Sequence, residues 1–504
     1  MRLVDWKSQY KKAALCFLTC GAIMLLSLFG CASRAGEMQE ETIDTELAEA
    51  NEAPKDGEII WTIPADYCNL DQYADKLNQK LAEDGYSFHV VFQYLPQNNY
   101  QAGVGKRLAE GSTDIAFLGL NSGGDNAAAA LIREGNLEEL TPFLGSDKGM
   151  ALRDFYYEGV WDTVRVDGGI YSFPNQGPIS GGGCFVFNKE LFFEEDIADF
   201  DGSLATFDKL VEILDGADLS QVDYPIISGL SFIQIAGMSG YLYYYGTFIS
   251  LETGEVFNPY ETNEMKEILS TIQLLYRKGF WGEDDGLVYG MDSGVAEQAL
   301  SEMEFGLWIS SYPNYAFEQM QDHVLCVSIP FALMNTVSAG TGVSRYAPNK
   351  EAALEFLALL YTNAEYGNLL MLGEEGVDYV LTDGYTYTMS GEIKRPFLAE
   401  LVTGLFDNIY PSVWDDLPVN RHETRLEIYG SDARRDSVIL GFQMNTEGME
   451  DQIEAVCEVV EQYEDIWKRD DLESAIQEAA EAYRAAGGDQ VVEEMGRQIA
   501  EWMN

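Results

Sequence analysis

The sequence predicts an α/β fold in two lobes with a helical C-terminal segment, and three observations indicate it. Short β-branched and aromatic runs alternate with amphipathic helical patterns between residues 58 and 118. A second set of strand and helix patterns follows three consecutive glycines at residues 181–183. Residues 449–502 carry only helical periodicity. Alternation on this scale is typical of right-handed βαβ crossovers around a parallel or mixed sheet.

The first lobe begins with a strand and a capped helix. Residues 58–63 form a strand-like run, and Asn69 is positioned to cap the helix that follows. The apolar side chains of this helix recur at helical spacing: Leu70, Tyr73, Leu77 and Leu81. Residues 88–92 and 114–118 predict two further strands, with a helical stretch at residues 104–110 between them.

The second lobe repeats the alternation and ends in helices. Residues 184–187, 305–309 and 324–329 predict strands, and residues 206–214 and 262–278 predict helices. Three apolar stripes predict the C-terminal helices: Met449 to Tyr463, Leu472 to Tyr483, and Val491 to Trp502. A pair of glycines separates the last two stripes and is typical of a helix end.

The N-terminus carries the pattern of a secreted and anchored protein. A basic segment precedes an apolar stretch at residues 13–29, which is shorter than a comfortable transmembrane span. Residues 28–31 (LFGC) resemble the end of a bacterial lipoprotein signal, in which the cysteine is acylated. This resemblance predicts a signal peptide at residues 1–30 and a lipid anchor on Cys31, at the outer face of the cell membrane. An acidic disordered tether is predicted at residues 31–56. An uncleaved anchor or an ordinary secretory signal is the alternative.

The formal net charge of −53 excludes one class of partner. Such a surface repels phosphate backbones, so we expect no nucleic acid to bind and interpret the acidity as a source of solubility. The cysteines beyond the anchor, Cys68, Cys184, Cys326 and Cys457, show no C-x-x-C spacing. This spacing argues against a zinc knuckle or a redox pair, while disulfides and buried free thiols both stay open.

Signatures of the common enzyme classes are missing from the sequence. The three histidines, His89, His323 and His422, form no HExxH motif, and neither a GxSxG elbow nor a Walker loop occurs. The acidic stretch at residues 281–292 lacks the EF-hand pattern. We therefore predict no catalytic residue, no metal site and no cofactor. Carboxylate pairs for glycoside cleavage stay open, because 84 acidic residues supply many pairs by chance.

Aromatic residues cluster at predicted strand ends and loops. Trp61, Trp308 and Trp414 lie there, together with Tyr312 and the tyrosines of residues 241–245. An aromatic face packs against the C–H face of a sugar, while carboxylates and amides beside it bind the hydroxyls. The pattern therefore favours a sugar site, and packing within a lobe core is the alternative for each tryptophan.

Several short runs occur in a recognisable order. They are residues 60–66 (IWTIPAD), 113–117 (TDIAF), 166–174 (VDGGIYSFP), 187–192 (FNKELF), 304–308 (EFGLW), 327–330 (VSIP) and 347–356 (APNKEAALEF). In this order they resemble the family 1 extracellular solute-binding proteins, the group of maltose-binding protein, which supply ABC importers. Residues 372–379 (LGEEGVDY) and 485–490 (AAGGDQ) are similar to a lipoprotein subgroup of that family.

The resemblance implies the two-lobed fold of periplasmic binding proteins, with a ligand cleft between the lobes. It places residues 57–173 and 331–376 in lobe 1, and residues 174–330 and 377–504 in lobe 2. The glycines at residues 181–183 are expected to act as a hinge near one crossing between the lobes. Asn349 is expected to cap the helix of the 347–356 run.

Open α/β sheets bind ligands beyond the carboxyl ends of their strands. By carry-over from the family, the expected substrate-binding residues are Trp61, Asp66, Leu120, Asn121, Asn175, Trp308 and Tyr312, and the aromatic clustering adds Trp414. Asp66 and Asn121 are expected to bind sugar hydroxyls, and the three tryptophans are expected to stack. For the polar residues, capping of the next helix is the alternative.

These features predict a lipid-anchored, monomeric solute receptor that captures a small solute and delivers it to the membrane permease subunits of an ABC transporter. A neutral oligosaccharide is the favoured solute. Two alternatives stay open. The negative charge motivates a receptor for a peptide, a polyamine or another cation, and the many carboxylates motivate a surface enzyme that acts on polysaccharide.

Overall fold

The structure, a computed structural model, describes most of the chain beyond the N-terminal region. The described residues are 55–65, 69–119, 126–175, 180–222, 224–228, 235–236, 240–281, 305–310, 322–333, 340–381, 387–390, 403–405 and 437–503.

Sixteen strands occur in the described residues. They are β1 Glu58–Pro64, β2 His89–Leu95, β3 Ile115–Phe117, β4 Arg165–Val166, β5 Gly169–Ile170, β6 Ser172–Phe173, β7 Ser180–Asn188, β8 Tyr224–Ser228, β9 Tyr241–Tyr244, β10 Thr247–Ser250, β11 Val256–Phe257, β12 Phe305–Ser310, β13 Val324–Leu333, β14 Thr341–Val343, β15 Tyr379–Leu381 and β16 Tyr387–Met389.

Twelve α-helices occur in the same residues. They are α1 Asp71–Glu83, α2 Tyr100–Glu110, α3 Asn126–Arg133, α4 Thr141–Leu144, α5 Asp147–Phe155, α6 Lys209–Gly216, α7 Asn263–Arg277, α8 Lys350–Thr362, α9 Ala364–Leu372, α10 Glu450–Gln462, α11 Leu472–Ala485 and α12 Gly488–Trp502. Short 3₁₀ turns lie between them, of which Glu158–Val164 matters below. None of the described helices has both the length and the apolarity needed to cross a membrane.

The first lobe is built on a five-stranded sheet in the order β2-β1-β3-β14-β6. β1 is parallel to β2 and β3, while β14 is antiparallel to β3 and β6. Ile59, Trp61 and Ile63 alternate along β1 into one apolar core. Thr62, which points to the opposite face, is also fully buried. Burial on both faces is typical of parallel strands that helices cover on each side.

The second lobe contains a four-stranded sheet in the order β13-β7-β12-β8. Its strands β12 and β8 are parallel, and β7 is antiparallel to both β12 and β13. Phe185, Phe187, Leu307 and Ile309 enter a second apolar core. The same core contains the buried stripes of α6, α7 and α10 to α12, so the predicted C-terminal helices are confirmed and belong to this lobe.

Asp114 joins three segments at the base of the first sheet. Its carboxylate accepts hydrogen bonds from the backbone N–H of Ile60, at 2.9 Å, and of Asn349, at 3.2 Å. Its own backbone N–H donates to Ile60 and its carbonyl accepts from Ser344. The carboxylate is fully buried, and burial raises the pKa of Asp114 to about 6. The aspartate of the TDIAF run is therefore a structural residue that connects β1, the end of β14 and the start of α8.

Two predicted helix caps differ from the structure. Asn69 accepts a hydrogen bond from the N–H of Asp71 at 3.0 Å, but Leu70 holds the N-cap position of α1. Asn349 holds the N-cap position of α8 without capping it through its side chain. Its amide instead accepts from Gly57 and donates to the carbonyls of Lys55 and Glu58. The backbone at the start of β1 competes successfully for this amide, so Asn349 anchors the strand instead of the helix.

The glycines predicted as a hinge lie inside a strand. Residues 181–183 belong to β7 and pair with β13, where Gly183 faces Ile329 and Gly181 faces Ala332. The register shifts between those two partners, as in a β-bulge. Gly residues tolerate such an irregular ladder because they carry no side chain. These glycines therefore lie at the start of a paired strand, directly after the crossing between the lobes, and their hinge role stays a prediction.

The first core extends past the predicted boundary at residue 376. Tyr379, Tyr387 and Leu405 are buried in the same cluster as Trp61. The β15–β16 hairpin carries the two tyrosines, whose rings meet edge to face at 6.3 Å. Because these side chains pack on lobe 1, this part of the chain belongs to lobe 1 and the boundary after residue 376 is too early. The other predicted boundaries stay predictions.

Candidate functional site

The carboxyl ends of the strands in the two sheets are joined by short crossings. In lobe 1, β1, β2, β3 and β6 end at one edge, where β14 begins. In lobe 2, β8, β12 and β13 end at the edge where β7 begins. Asn175 and Ser180 are five positions apart in the first crossing, a length that spans at most about 18 Å. The two carboxyl edges therefore lie close to each other, and the candidate site is the region between them.

Buried hydrogen bonds hold the edge of lobe 1. The hydroxyl of Tyr100 donates to the carbonyl oxygens of Thr62 and Phe117, at 3.0 and 2.7 Å. Leu118 N–H donates to the carbonyl of Gly340 at 3.0 Å. These bonds connect β1, β3 and β14 at the point where each faces the crossings. The segments that leave this edge therefore start from backbone that buried hydrogen bonds hold in place.

Gln101 brings an amide to the end of β3. Its Nε2 donates to the carbonyl of Leu118 at 2.8 Å, while its buried Oε1 has no hydrogen-bond partner among the described residues. Gly119 has a φ of +107°, and a Cβ there would lie 1.7 Å from the Gln101 Nε2. The positive φ favours glycine at this position, and a larger residue would have to displace the Gln101 amide. Gln101 Oε1 is therefore a buried acceptor without a partner among the described residues, next to the point where the chain leads to the predicted ligand contacts Leu120 and Asn121.

The polar side chains of Tyr361 and Ser172 lie near the start of β14. The hydroxyl of Tyr361 donates to the carbonyl of Thr403 at 2.7 Å and lies 3.4 Å from Thr341 Oγ1. Ser172 Oγ is buried without a hydrogen-bond partner among the described residues. A second crossing leads from the end of β13 in lobe 2 to the start of β14 in lobe 1. A Cβ on Gly340, at the end of this crossing, would lie 2.7 Å from that Oγ, so its backbone approaches Ser172 closely. Burial raises the pKa of Tyr361, which therefore stays a neutral donor.

Trp61 is a core residue, and its predicted stacking role is wrong. Its side chain is fully buried and packs against Phe92 and Phe356, with ring centroids 5.8 and 6.2 Å away. The cause is strand alternation, because residue 61 points to the same face as Ile59 and Ile63. The ring therefore has no free face for a sugar.

Asn175 and Trp308 lie close to the carboxyl edges. Asn175 follows β6 at the first crossing and is buried. Trp308 lies on β12, two positions before the strand ends, with Val186 and Ile227 as its neighbours across the sheet. Its side chain is 9% exposed and points away from the face that carries Leu307 and Ile309. Both positions agree with the expected place of a ligand contact, and their roles stay predictions.

The remaining predicted residues lie outside the described part of the chain. They are Cys31, Asp66, Leu120, Asn121, Tyr312 and Trp414. Asp66 follows β1, Leu120 and Asn121 follow β3, and Tyr312 follows β12, so the described strands end just before each of these residues.

Sequence reasoning missed Gln101. The predicted helical stretch began at residue 104, whereas α2 begins at Tyr100. The signal was present in the chain, because β2 ends at Leu95 and only a short 3₁₀ turn separates it from α2. A helix that starts so soon after a parallel strand places its first turn at the carboxyl edge of the sheet. Gln101 lies in that turn.

Metal-ligating side chains do not converge in the part of the chain that the structure describes. No group of three or more His, Cys, Asp or Glu residues there is arranged to hold an ion. Cys184, Cys326 and Cys457 form no disulfide, and Cys68 lies outside the described residues. Cys326 and burial together raise the pKa of Cys184, which keeps that thiol protonated.

The chain matches one family model and one curated relative. Residues 438–504 match a family described as a domain of unknown function, DUF3502. A carbohydrate ABC transporter substrate-binding protein of Streptococcus pneumoniae serotype 4 is 25% identical in an alignment 478 residues long, which covers 86% of this chain and 88% of the relative.

Solved structures with a similar fold cover nearly the whole chain. The N-glycan transport solute binding protein NgtS of Streptococcus pneumoniae matches with a TM-score of 0.63 at 21% identity, over 88% of this chain and 99% of that one. NgtS in complex with Man1GlcNAc matches with a TM-score of 0.56 at 21% identity and the same coverage. An HMO-binding, ABC-transporter-associated solute-binding protein of Bifidobacterium longum infantis matches with a TM-score of 0.55 at 14% identity, over 90% and 99%. The two-lobed fold is therefore shown, and the predicted resemblance to the family 1 extracellular solute-binding proteins of ABC importers is confirmed.

Proposed function

We propose that the protein is an extracellular solute-binding receptor that captures an oligosaccharide between its lobes and delivers it to an ABC transporter. The observation that carries this proposal is the pair of facing carboxyl edges, joined by a crossing of five positions between Asn175 and Ser180. Ligands of open α/β sheets bind at such edges. The similarity to a carbohydrate ABC transporter substrate-binding protein supports the same function.

An oligosaccharide of the glycan type suits the residues at the edge of lobe 1. We propose that Gln101 Oε1, which has no hydrogen-bond partner among the described residues, accepts a hydrogen bond from a sugar hydroxyl, and glycine at residue 119 leaves the room that the Gln101 amide occupies. The names of the similar proteins support this ligand class, since NgtS is described with Man1GlcNAc and the Bifidobacterium protein as HMO-binding. Asp66, Asn121, Asn175 and Trp308 are the further contacts that we propose.

The proposed route of the solute ends at the membrane. Cys31 carries the proposed lipid anchor, and residues 31–56 form the proposed tether that leaves the lobes free to meet the permease subunits. The curated relative is named as a carbohydrate ABC transporter substrate-binding protein. We accordingly propose that the bound glycan is released with its bonds unchanged.

A ligand screen tests the proposed function directly. Residues 32–504 are purified and mixed with mannose- and GlcNAc-containing oligosaccharides, milk oligosaccharides, peptides and polyamines. We expect at least one oligosaccharide to raise the unfolding temperature and change tryptophan fluorescence, because a ligand at a hundred times its Kd stabilises the folded state by about 2.7 kcal/mol. Mass spectrometry of the ligand after long incubation should return the starting compound. Response to polyamines alone, or cleavage of the glycan, would contradict the proposal.

Gln101→Ala tests the edge of lobe 1. We expect the affinity for the responding oligosaccharide to fall about 3–10-fold, because one neutral hydrogen bond to the ligand is lost. Isothermal titration calorimetry measures the change. Gln79→Ala is the matched control, since Gln79 lies exposed on α1 and bonds only its neighbour Glu83 in the described structure. Equal affinities of Gln101→Ala and wild type would exclude Gln101 from the site.

A further inference from the structure

The matched domain of unknown function begins with a segment that is held firmly by lobe 2. Residues 437–446 precede α10, and Ile439, Phe442 and Met444 are buried in the second core. The backbone N–H of Val438 donates to the Leu251 carbonyl at 3.0 Å. Two side chains of lobe 2 add hydrogen bonds. The Gln498 amide accepts from the N–H of Asn445 and donates to its carbonyl, and the Tyr244 hydroxyl donates to Gln443 Oε1.

The same segment is also bonded to lobe 1 by one arginine. Arg133 ends α3, whose Leu131 and Ile132 are buried in the first core. Its Nη2 donates to the carbonyl of Gln443 at 2.9 Å, and its Nη1 donates to the carbonyl of Met444 at 3.3 Å. The guanidinium therefore spans the two lobes through consecutive carbonyls.

Asp167 holds this guanidinium in place. Arg133 Nε and Nη2 donate to the two carboxylate oxygens of Asp167, at 3.1 and 3.2 Å. Asp167 lies in the β4–β5 turn with a φ of +49°, a conformation that an aspartate tolerates better than most residues. One side of the planar guanidinium thus donates to a carboxylate, and the other side donates to two backbone carbonyls. A lysine has no such planar group, so the arrangement specifically requires arginine.

A close backbone contact lies beside the arginine. Gly441 has a φ of +88°, and a Cβ there would lie 3.1 Å from the Asp162 carbonyl oxygen and 3.3 Å from Arg165 Cβ. On the other side it would lie 3.3 Å from Trp502 Cζ2. Asp162 and Arg165 belong to lobe 1 and Trp502 to lobe 2, so the segment is enclosed from both sides. The 3₁₀ turn that contains Asp162 also lies against β13, the strand that leads into the second crossing.

We propose that residues 437–446 form an interlobe brace, which we define as the segment that lobe 2 supports and Arg133 ties to lobe 1. The brace sets how readily the two lobes separate beside the crossings. This assigns an intramolecular role to the first part of the domain of unknown function. The proposal does not depend on the identity of the ligand, because every contact is within the chain.

Hydrogen–deuterium exchange of the ligand-free protein, residues 32–504, tests the brace. We expect Arg133→Ala to accelerate exchange about 10-fold in both residues 158–170 and residues 437–446, because charge-assisted bonds that join the two segments are lost. Arg133→Lys should give a smaller acceleration in the same two segments. Arg153→Ala is the control for loss of an arginine, since Arg153 pairs with its exposed neighbour Asp154 on lobe 1.

A second pair of variants separates the interlobe contact from backbone strain. Gly441→Ala and Gly448→Ala both place a Cβ at positive φ, but Gly448, with a φ of +80°, has open space around it. We expect only Gly441→Ala to accelerate exchange in the lobe 1 segment and to broaden the interlobe distances in small-angle scattering. If Arg133→Ala accelerated exchange in one segment alone, or if the two glycine variants had equal effects, the proposed brace would be contradicted. If circular dichroism shows that Arg133→Ala has unfolded, the exchange rates of Arg133→Lys in the two segments serve as the test.

Discussion

Trp61→Ala is expected to lower the free energy of unfolding by about 3–5 kcal/mol, because it removes the largest buried side chain of β1 and leaves a cavity. The ring is enclosed by Phe92 and Phe356 in the first core. Urea unfolding followed by circular dichroism at 222 nm measures the loss without relying on tryptophan emission. Since the ring has no exposed face, the folded variant should bind oligosaccharide with the affinity of the wild type.

Trp61→Phe is the matched variant for this position. It keeps an aromatic ring and removes the indole N–H, which is buried without a hydrogen-bond partner among the described residues. We expect a loss of less than about 1.5 kcal/mol, because the change in volume is small and an unsatisfied donor disappears. A variant of normal stability that no longer binds the glycan would restore the stacking role and contradict the core assignment.

Asp114→Ala is expected to destabilise the protein by about 2–5 kcal/mol, because it leaves two buried backbone N–H groups without an acceptor. One is the N–H of Ile60, in β1, and the other is the N–H of Asn349, at the N-cap position of α8. Thermal and urea unfolding at pH 7 measure the loss. Asp75→Asn, at an exposed carboxylate on α1, is the control and should leave stability within about 0.5 kcal/mol.

The same carboxylate predicts a pH dependence with a definite sign. Burial raises the folded-state pKa of Asp114 to about 6, from an ordinary value of 3.8. The folded state therefore holds this proton more tightly than the unfolded state. The stabilising contribution of the protonated carboxyl is complete below pH 3.8 and is lost as the pH rises through about 6. The loss amounts to about 3 kcal/mol.

Asp114→Asn removes the titrating group and isolates this effect. We expect the difference in unfolding free energy between wild type and Asp114→Asn to decline from pH 4 to pH 7, with the steepest decline between the ordinary pKa of 3.8 and the folded-state pKa of about 6 and little further change above it. The same difference measured for Asp75→Asn should show no decline centred there. A wild-type minus Asp114→Asn difference that rises over this range would mean that the folded state favours the ionised carboxylate.

Local periodicity was enough to predict the order and type of most elements. The apolar stripe from Met449 to Tyr463 predicted α10, and the run at residues 58–63 predicted β1, because side-chain spacing alone reports which face is buried. Helix starts were harder to place. Backbone groups elsewhere in the fold bind Asn349, so a good capping residue at the right position does not cap.

The candidate site was predictable only in part. Strand ends predicted which edges of the sheets lie beside the crossings, since every parallel strand of lobe 1 ends toward them. Two tryptophans that looked equivalent in the sequence differ in the structure, because Trp61 faces the first core and Trp308 faces away from the second. The sequence did not predict Gln101 as a candidate, because the position of its amide depends on where α2 starts and on the close approach of Gly119.

By itself, the sequence determined the two α/β lobes and the helical C-terminus, because these follow from patterns that repeat along the chain, while the order of its short runs predicted the resemblance to solute-binding proteins. Tertiary structure alone decided which residues meet across long separations. Asp114 with Asn349 and Arg133 with Gln443 are such pairs. Their contacts depend on how separate elements are brought together in space, and no local spacing of side chains encodes that distance.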